Sequence, residues 1–154
     1  MNADVVNAFL GATLNVLETM AFTRARAEKA ALTRGHVSRG GVTGLCGLAG
    51  EALSGVCAIR FSEAAILAIG STMRGEAVSA IDDALRATVG ELTVLIADRA
   101  RKELAGKGYR FALALPVVIA GTDPELSYGT TGRAIVLPFT TDAGDFAVEV
   151  RLGK

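Results

Sequence analysis

Histidine is nearly absent and cysteine scarce: the chain of 154 residues holds one His and two Cys. A typical zinc site draws on several such ligands, and the sequence places no carboxylates nearby to complete one, so no metal is expected on this chain. Neither sign of charge is in excess, with Lys plus Arg and Asp plus Glu each numbering 16. That balance argues against a nucleic-acid partner or attraction to an anionic membrane. Long apolar runs are missing too. The longest, Phe111 to Ala120, contains Pro116 and falls short of the roughly 20 residues that span a bilayer. The N-terminal segment carries Asp4 and no Lys or Arg before Arg24, unlike the basic start of a secretory signal. The absences point to a cytoplasmic protein with no membrane span. The length suits a single domain, 1–154, able to bury a core without disulfides or metals.

What is present is apolar and small. Hydrophobic residues make up 51% of the chain and the mean hydropathy is +0.41. Ala and Gly inflate that index, yet it still points to apolar surface left for a second subunit. Cys46 and Cys57 lie in two β-like runs, Val42 to Leu48 and Val56 to Phe61, joined by a loop centred near Glu51 and Ala52. A hairpin with that centre sets the two cysteines face to face. In a reducing compartment they are expected as buried free thiols.

Three stretches carry helical periodicity. From Asn2 to Met20, Val5, Val6, Phe9, Leu10, Leu14 and Leu17 recur three or four apart, as an amphipathic helix requires. Ser62 reads as an N-cap, followed by Glu63, Ile66, Leu67 and Ile69, with Gly75 beyond the end. A third and longest helix opens at Ser79, with Asp82 three residues on, and runs to about Gly106. Basic residues Arg99, Arg101, Lys102 and Lys107 gather at its C-terminal end, where they complement the helix dipole. Arg24 to Arg34, Phe111 to Ile119, Ala134 to Phe139 and Phe146 to Leu152 read as strands. Thr122 to Gly132 is the expected mobile loop. Pro116 and Pro138 cannot donate to a ladder, so each should mark an edge, a bulge or a strand end. Gly41, Gly44, Gly47 and Gly50 match neither a dinucleotide-binding nor a phosphate-loop pattern, and read as small residues in tightly packed strands.

On the third helix the expected core stripe is Ile81, Leu85, Thr88, Val89, Leu92, Leu95 and Ile96. Ala87, Glu91, Val94 and Asp98 fall on another narrow stripe, well away from it. This second stripe carries a resemblance. Gly90-Glu91-Leu92-Thr93-Val94, with Pro116 further on, resembles the signature of the CheC/CheX family of response-regulator phosphatases. Four positions recur there: an Asp or Ser, a Glu, an Asn and a distant Pro, matched here by Ala87, Glu91, Val94 and Pro116. The run Val6 to Met20, Glu103-Leu104, Gly106 to Tyr109, Ala114-Leu115-Pro116, Ile135 to Phe139 and Ala143-Gly144 are also similar to CheX proteins. The resemblance extends over nearly the whole chain.

It implies an α/β (α+β) CheC-like fold, with helices packed on a mainly antiparallel sheet, and a homodimer paired through its sheets. It also implies a partner, the phosphorylated response regulator CheY, which brings its own Mg²⁺ and phosphoryl group; this chain binds no cofactor. In the family the Glu pairs with a lysine beside the phosphoryl group and the Asn amide orients the attacking water. Glu91 keeps the first role as the catalytic candidate. Ala87, Glu91, Val94 and Asp98 form the candidate partner-binding face, and Pro116 is the structural member of the motif. Valine has no donor or acceptor, so Val94 cannot hold the water. Thr93 lies about 100° away around the helix, and the negative charge of Asp98 would be repelled by a phosphoryl group. Two function classes follow: a phosphatase acting on a CheY-type regulator, or a non-catalytic regulator-binding or structural dimerisation module of the same fold.

Overall fold

Cys46 and Cys57 stand opposite each other across an antiparallel pair, as the loop-centred spacing predicts. The two strands, β3 (Val42–Ala49) and β4 (Ser54–Phe61), lie within a sheet seen in a computed structural model that describes residues 2–33, 41–51, 53–120 and 134–153. Both thiols are free and buried. Loss of hydration pushes them up from the usual thiol range, most strongly at the fully enclosed Cys57.

The remaining elements follow in chain order. They are α1 (Ala3–Met20), β1 (Arg26–Ala27), β2 (Ala31–Thr33), α2 (Glu63–Arg74), α3 (Asp83–Ala105), β5 (Ala112–Leu113), β6 (Val117–Ala120), β7 (Ala134–Thr140) and β8 (Asp145–Gly153). Strand order is β1-β7-β8-β4-β3-β5, with β2 also along β7 and β6 also along β3. Every pairing is antiparallel. Among the described residues no helix is long and apolar enough to cross a membrane. The Thr122 to Gly132 loop lies outside the described residues.

The helices begin where capping chemistry allows. The Asn2 side chain accepts from the Asp4 and Val5 amides at the start of α1, and Ser62 accepts from Ala65 at the start of α2. Gly75 closes α2 with φ 71°, the left-handed conformation that glycine adopts freely. The opening of α3 differs from expectation. Its cap is Asp82 rather than Ser79, because the Asp82 carboxylate accepts from the Leu85 amide at 2.8 Å. The Arg74 guanidinium, 3.1 Å away, and after it that amide hold the carboxyl below the usual carboxylate range.

Both prolines behave as their chemistry demands. Phe111 to Ile119 is two short strands instead of one, broken ahead of β6 by Pro116. Pro138 sits inside β7, but on its outer side the ladder shifts there. Ala27 faces Phe139 and Ala31 faces Val136, four steps along one chain against three along the other. That one-residue bulge also divides the expected strand at Arg24 to Arg34 into β1 and β2.

Alternation along the strands separates two faces. Val42, Ile59, Phe61, Leu137, Val148 and Val150 point toward the helices and share one core with Phe9, Leu17, Ile66, Leu92 and Ile96. The reverse face holds a small cluster, Ala134, Val136 and Ala147, and a buried ion pair. Arg60 and Glu149 are 3% and 1% exposed and hydrogen-bonded to each other.

α3 lies against β3 and β6 through small side chains. A Cβ on Gly44 would come 2.0 Å from Thr93 Oγ1, and one on Gly90 would come 3.3 Å from Val118 Cγ2. Gly44→Ala is therefore expected to cost about 1–3 kcal/mol through overpacking, read by chemical denaturation. Adding Thr93→Ala should recover part of the loss, whereas additive costs would place the strain elsewhere. A second expectation concerns Asp82. Asp82→Asn keeps a capping oxygen but not the charge that faces Arg74. Because the native carboxyl is depressed, its contribution is present above the unfolded value of about 3.9 and lost as pH falls through the folded value. Wild type should melt higher than Asp82→Asn near neutral pH, with the gap closing on acidification. A gap independent of pH would dissociate it from the carboxylate charge.

Candidate functional site

The stripe picked out by spacing is where α3 turns away from the core. Ala87 and Glu91 are exposed, and Val94 and Asp98 are half-buried. Glu91 has no hydrogen-bond or ion-pair partner among the described residues. Its neighbours one turn either way, Ala87 and Val94, offer no polar atom.

The buried arc is wider than the expected core stripe and centred differently. Leu85, Val89, Leu92 and Ile96 are buried as expected, while Ile81, Thr88 and Leu95 are only half-buried. Gly90, Thr93, Ala97 and Ala100 are buried in addition. The reason is the close approach to the sheet, which only small side chains permit. Their recurrence three and four residues apart was the available signal. Thr93 is fully enclosed and its hydroxyl donates to the Val89 carbonyl at 2.7 Å. It is thus spent inside the helix, in keeping with its offset from the stripe.

Asp98 shares the stripe but is engaged along its own helix. Arg101 donates to it through Nη2 at 2.6 Å and Nε at 2.9 Å, and Lys102 Nζ stands 3.3 Å away. The Arg101 guanidinium, and then Lys102, hold the carboxyl below its ordinary range. Glu91 is left as the stripe's carboxylate free of such ties.

Two different boundaries flank the stripe. On one side the Cβ direction of Gly90 points to Val118 and to Pro116 Cγ, 3.9 Å away, so the β5–β6 edge runs beside α3 at the level of Glu91. On the other, a groove of about 440 Å³ is lined by Val16 and Met20 of α1 and by Leu95, Asp98, Arg99 and Lys102 of α3. Pro116 is thereby brought to the helix that carries Glu91, though far from it in sequence. Among the described residues no group of three or more His, Cys, Asp and Glu side chains is placed to hold a metal ion. The stripe can accept hydrogen bonds from a cation through Glu91, and nothing next to Glu91 on it can orient a water.

Comparison with known proteins matches this geometry to one family. The family model described as chemotaxis phosphatase CheX matches residues 42–140. No curated protein matches the chain. Among solved structures, a CheC-like superfamily protein from Shewanella sp. PV-4 is 35% identical, with a TM-score of 0.92 over 100% of both chains. A chemotaxis protein CheX from Vibrio vulnificus is 32% identical, with a TM-score of 0.90 over 97% of this chain and 99% of that one. The CheX–CheY–BeF3–Mg²⁺ complex from Borrelia burgdorferi is 25% identical, with a TM-score of 0.83 over 99% and 100%. The sheet and the helices packed on it thus form the fold of a known family, and the chain belongs to the CheX family.

Proposed function

We propose that this protein docks through the α3 stripe onto a phosphorylated CheY-type response regulator, and that the docked complex hydrolyses the aspartyl phosphate slowly. The observation that carries the reading is the composition of the stripe. Glu91 is exposed and untied, and the position one turn on, which the sequence resemblance matches to the family's Asn, is the apolar Val94. The Borrelia burgdorferi relative in complex with CheY supports the class of partner. Docking and action in the cytoplasm, as a homodimer paired through its sheets, belong to the same proposal.

Hydrolysis requires a water to attack phosphorus in line with the bond to the aspartyl oxygen. That bond breaks, inorganic phosphate leaves, and the regulator's carboxylate is restored. The regulator's own Mg²⁺ offsets charge on the phosphoryl oxygens. Glu91 contributes position, its carboxylate accepting from a lysine of the regulator. Val94 contributes apolar contact but no atom that holds the water. Loss of one pre-organised polar group of this kind costs on the order of 10²-fold in rate.

The decay of the phosphorylated regulator is the measurement. Wild type should bind while accelerating decay only weakly, and Val94→Asn should raise the catalysed rate by at least about 10-fold. Glu91→Ala should lose both docking and residual acceleration. Wild-type turnover equal to that of Val94→Asn would sink the slow-hydrolysis reading. Binding with no acceleration by either protein would favour a purely sequestering module, the second class open to this fold.

A further inference from the structure

Leu115 is the most exposed large hydrophobic side chain among the described residues, at 89%, and Val117 follows it along the same edge at 56%. The ladder explains how they come to be there. Ala112 and Leu113 face Ala49 and Leu48, and the Ala114 amide donates to the Gly47 carbonyl at 2.9 Å. Val117 then faces Leu45. Two residues, Leu115 and Pro116, therefore stand where the register of β3 offers only Cys46. This is a bulge, a device that re-aims side chains and often lies beside functional sites. Its second residue, Pro116, meets α3 at Gly90, next to Glu91.

Edge chemistry narrows what can cover this spot. A bulge and a proline without an amide hydrogen both make β5–β6 a poor template for another strand. An exposed edge is commonly guarded against strand pairing by a charge, yet the chain exposes a leucine. An exposed apolar residue adjoining the proline that borders α3 at Gly90 matches the anatomy of a docking site, in which an apolar anchor flanks a polar centre and excludes water. Val117 lies one step beyond Pro116 and away from α3. Its neighbour Val118 points to Gly90, so alternation turns Val117 toward the reverse face of the sheet.

We infer that Leu115 is an apolar anchor for the receiver domain of the phosphorylated regulator, set by the Pro116 bulge beside Glu91, so that one surface formed from α3 and the β5–β6 edge grips the partner. The inference rests on the docking reading proposed above and adds a second element to that interface.

The experiment measures the affinity of a purified CheY-type regulator, loaded with beryllofluoride and Mg²⁺, for wild type, Leu115→Ser, Leu115→Met and Val117→Ser. Leu115→Ser should weaken binding at least about 10-fold, as loss of an anchor does. Leu115→Met should stay near wild type, and Val117→Ser should change affinity less than about 2-fold. Melting temperatures should be unaltered, since an 89% exposed side chain contributes little to the core. Wild-type affinity in Leu115→Ser overturns the anchor alone and leaves docking through α3 intact. Absence of binding by wild type overturns both. Dissociation of a dimer by Leu115→Ser, seen in sedimentation, would assign the edge to self-association and also overturn the anchor.

Discussion

The architecture depends on how near α3 can come to the sheet. Gly44 leaves the space that Thr93 fills, and Gly90 leaves the space that Val118 and Pro116 border. Interiors pack at crystal-like density, so even one added carbon at such a seam is felt. A glycine within a helix costs about 1 kcal/mol relative to alanine, and here it lets the edge strand run beside the helix. The same contact fixes the rotation of α3. With Thr93 locked inward, Glu91 and Val94 have to face outward.

That rotation separates what the fold needs from what the stripe presents. The carboxylate stays exposed because the whole opposite arc of the helix is buried, and its setting does not depend on what stands at position 94. A polar or an apolar side chain at position 94 is therefore compatible with the fold and with the presentation of Glu91. Asp98 is drawn into its own pairs with Arg101 and Lys102, while Glu91 keeps its carboxylate untied among the described residues.

Much of this was legible in the chain. The hairpin register followed from two cysteines and a loop centre, α1 and α2 followed from periodicity and caps, and the stripe followed from the helical turn. The family was recognisable from segments spread along the sequence. What was missed shares a physical cause: tertiary contact overrode local pattern. Ser79 is an acceptable cap by composition, but Asp82 is the one braced by Arg74. Gly90, Thr93 and Ala97 look neutral on a hydrophobicity wheel and prove central because they are small. The break at Leu115 and Pro116 was expected from the proline, while the exposure of the leucine comes from a ladder shift that no single-strand reading contains.

The buried pair on the reverse face has a consequence for folding. Arg60 and Glu149 sit diagonally across β4 and β8, with Glu149 opposite Ala58 and Arg60 opposite Ala147. Sliding β8 by one residue would swing Glu149 round among the aliphatic side chains beneath the helices, a charge taken from water without its counter-ion. Ala147, Val148 and Val150 would tolerate many alignments on hydrophobicity alone. The buried pair thus favours the native alignment of the central strands over its nearest competitors.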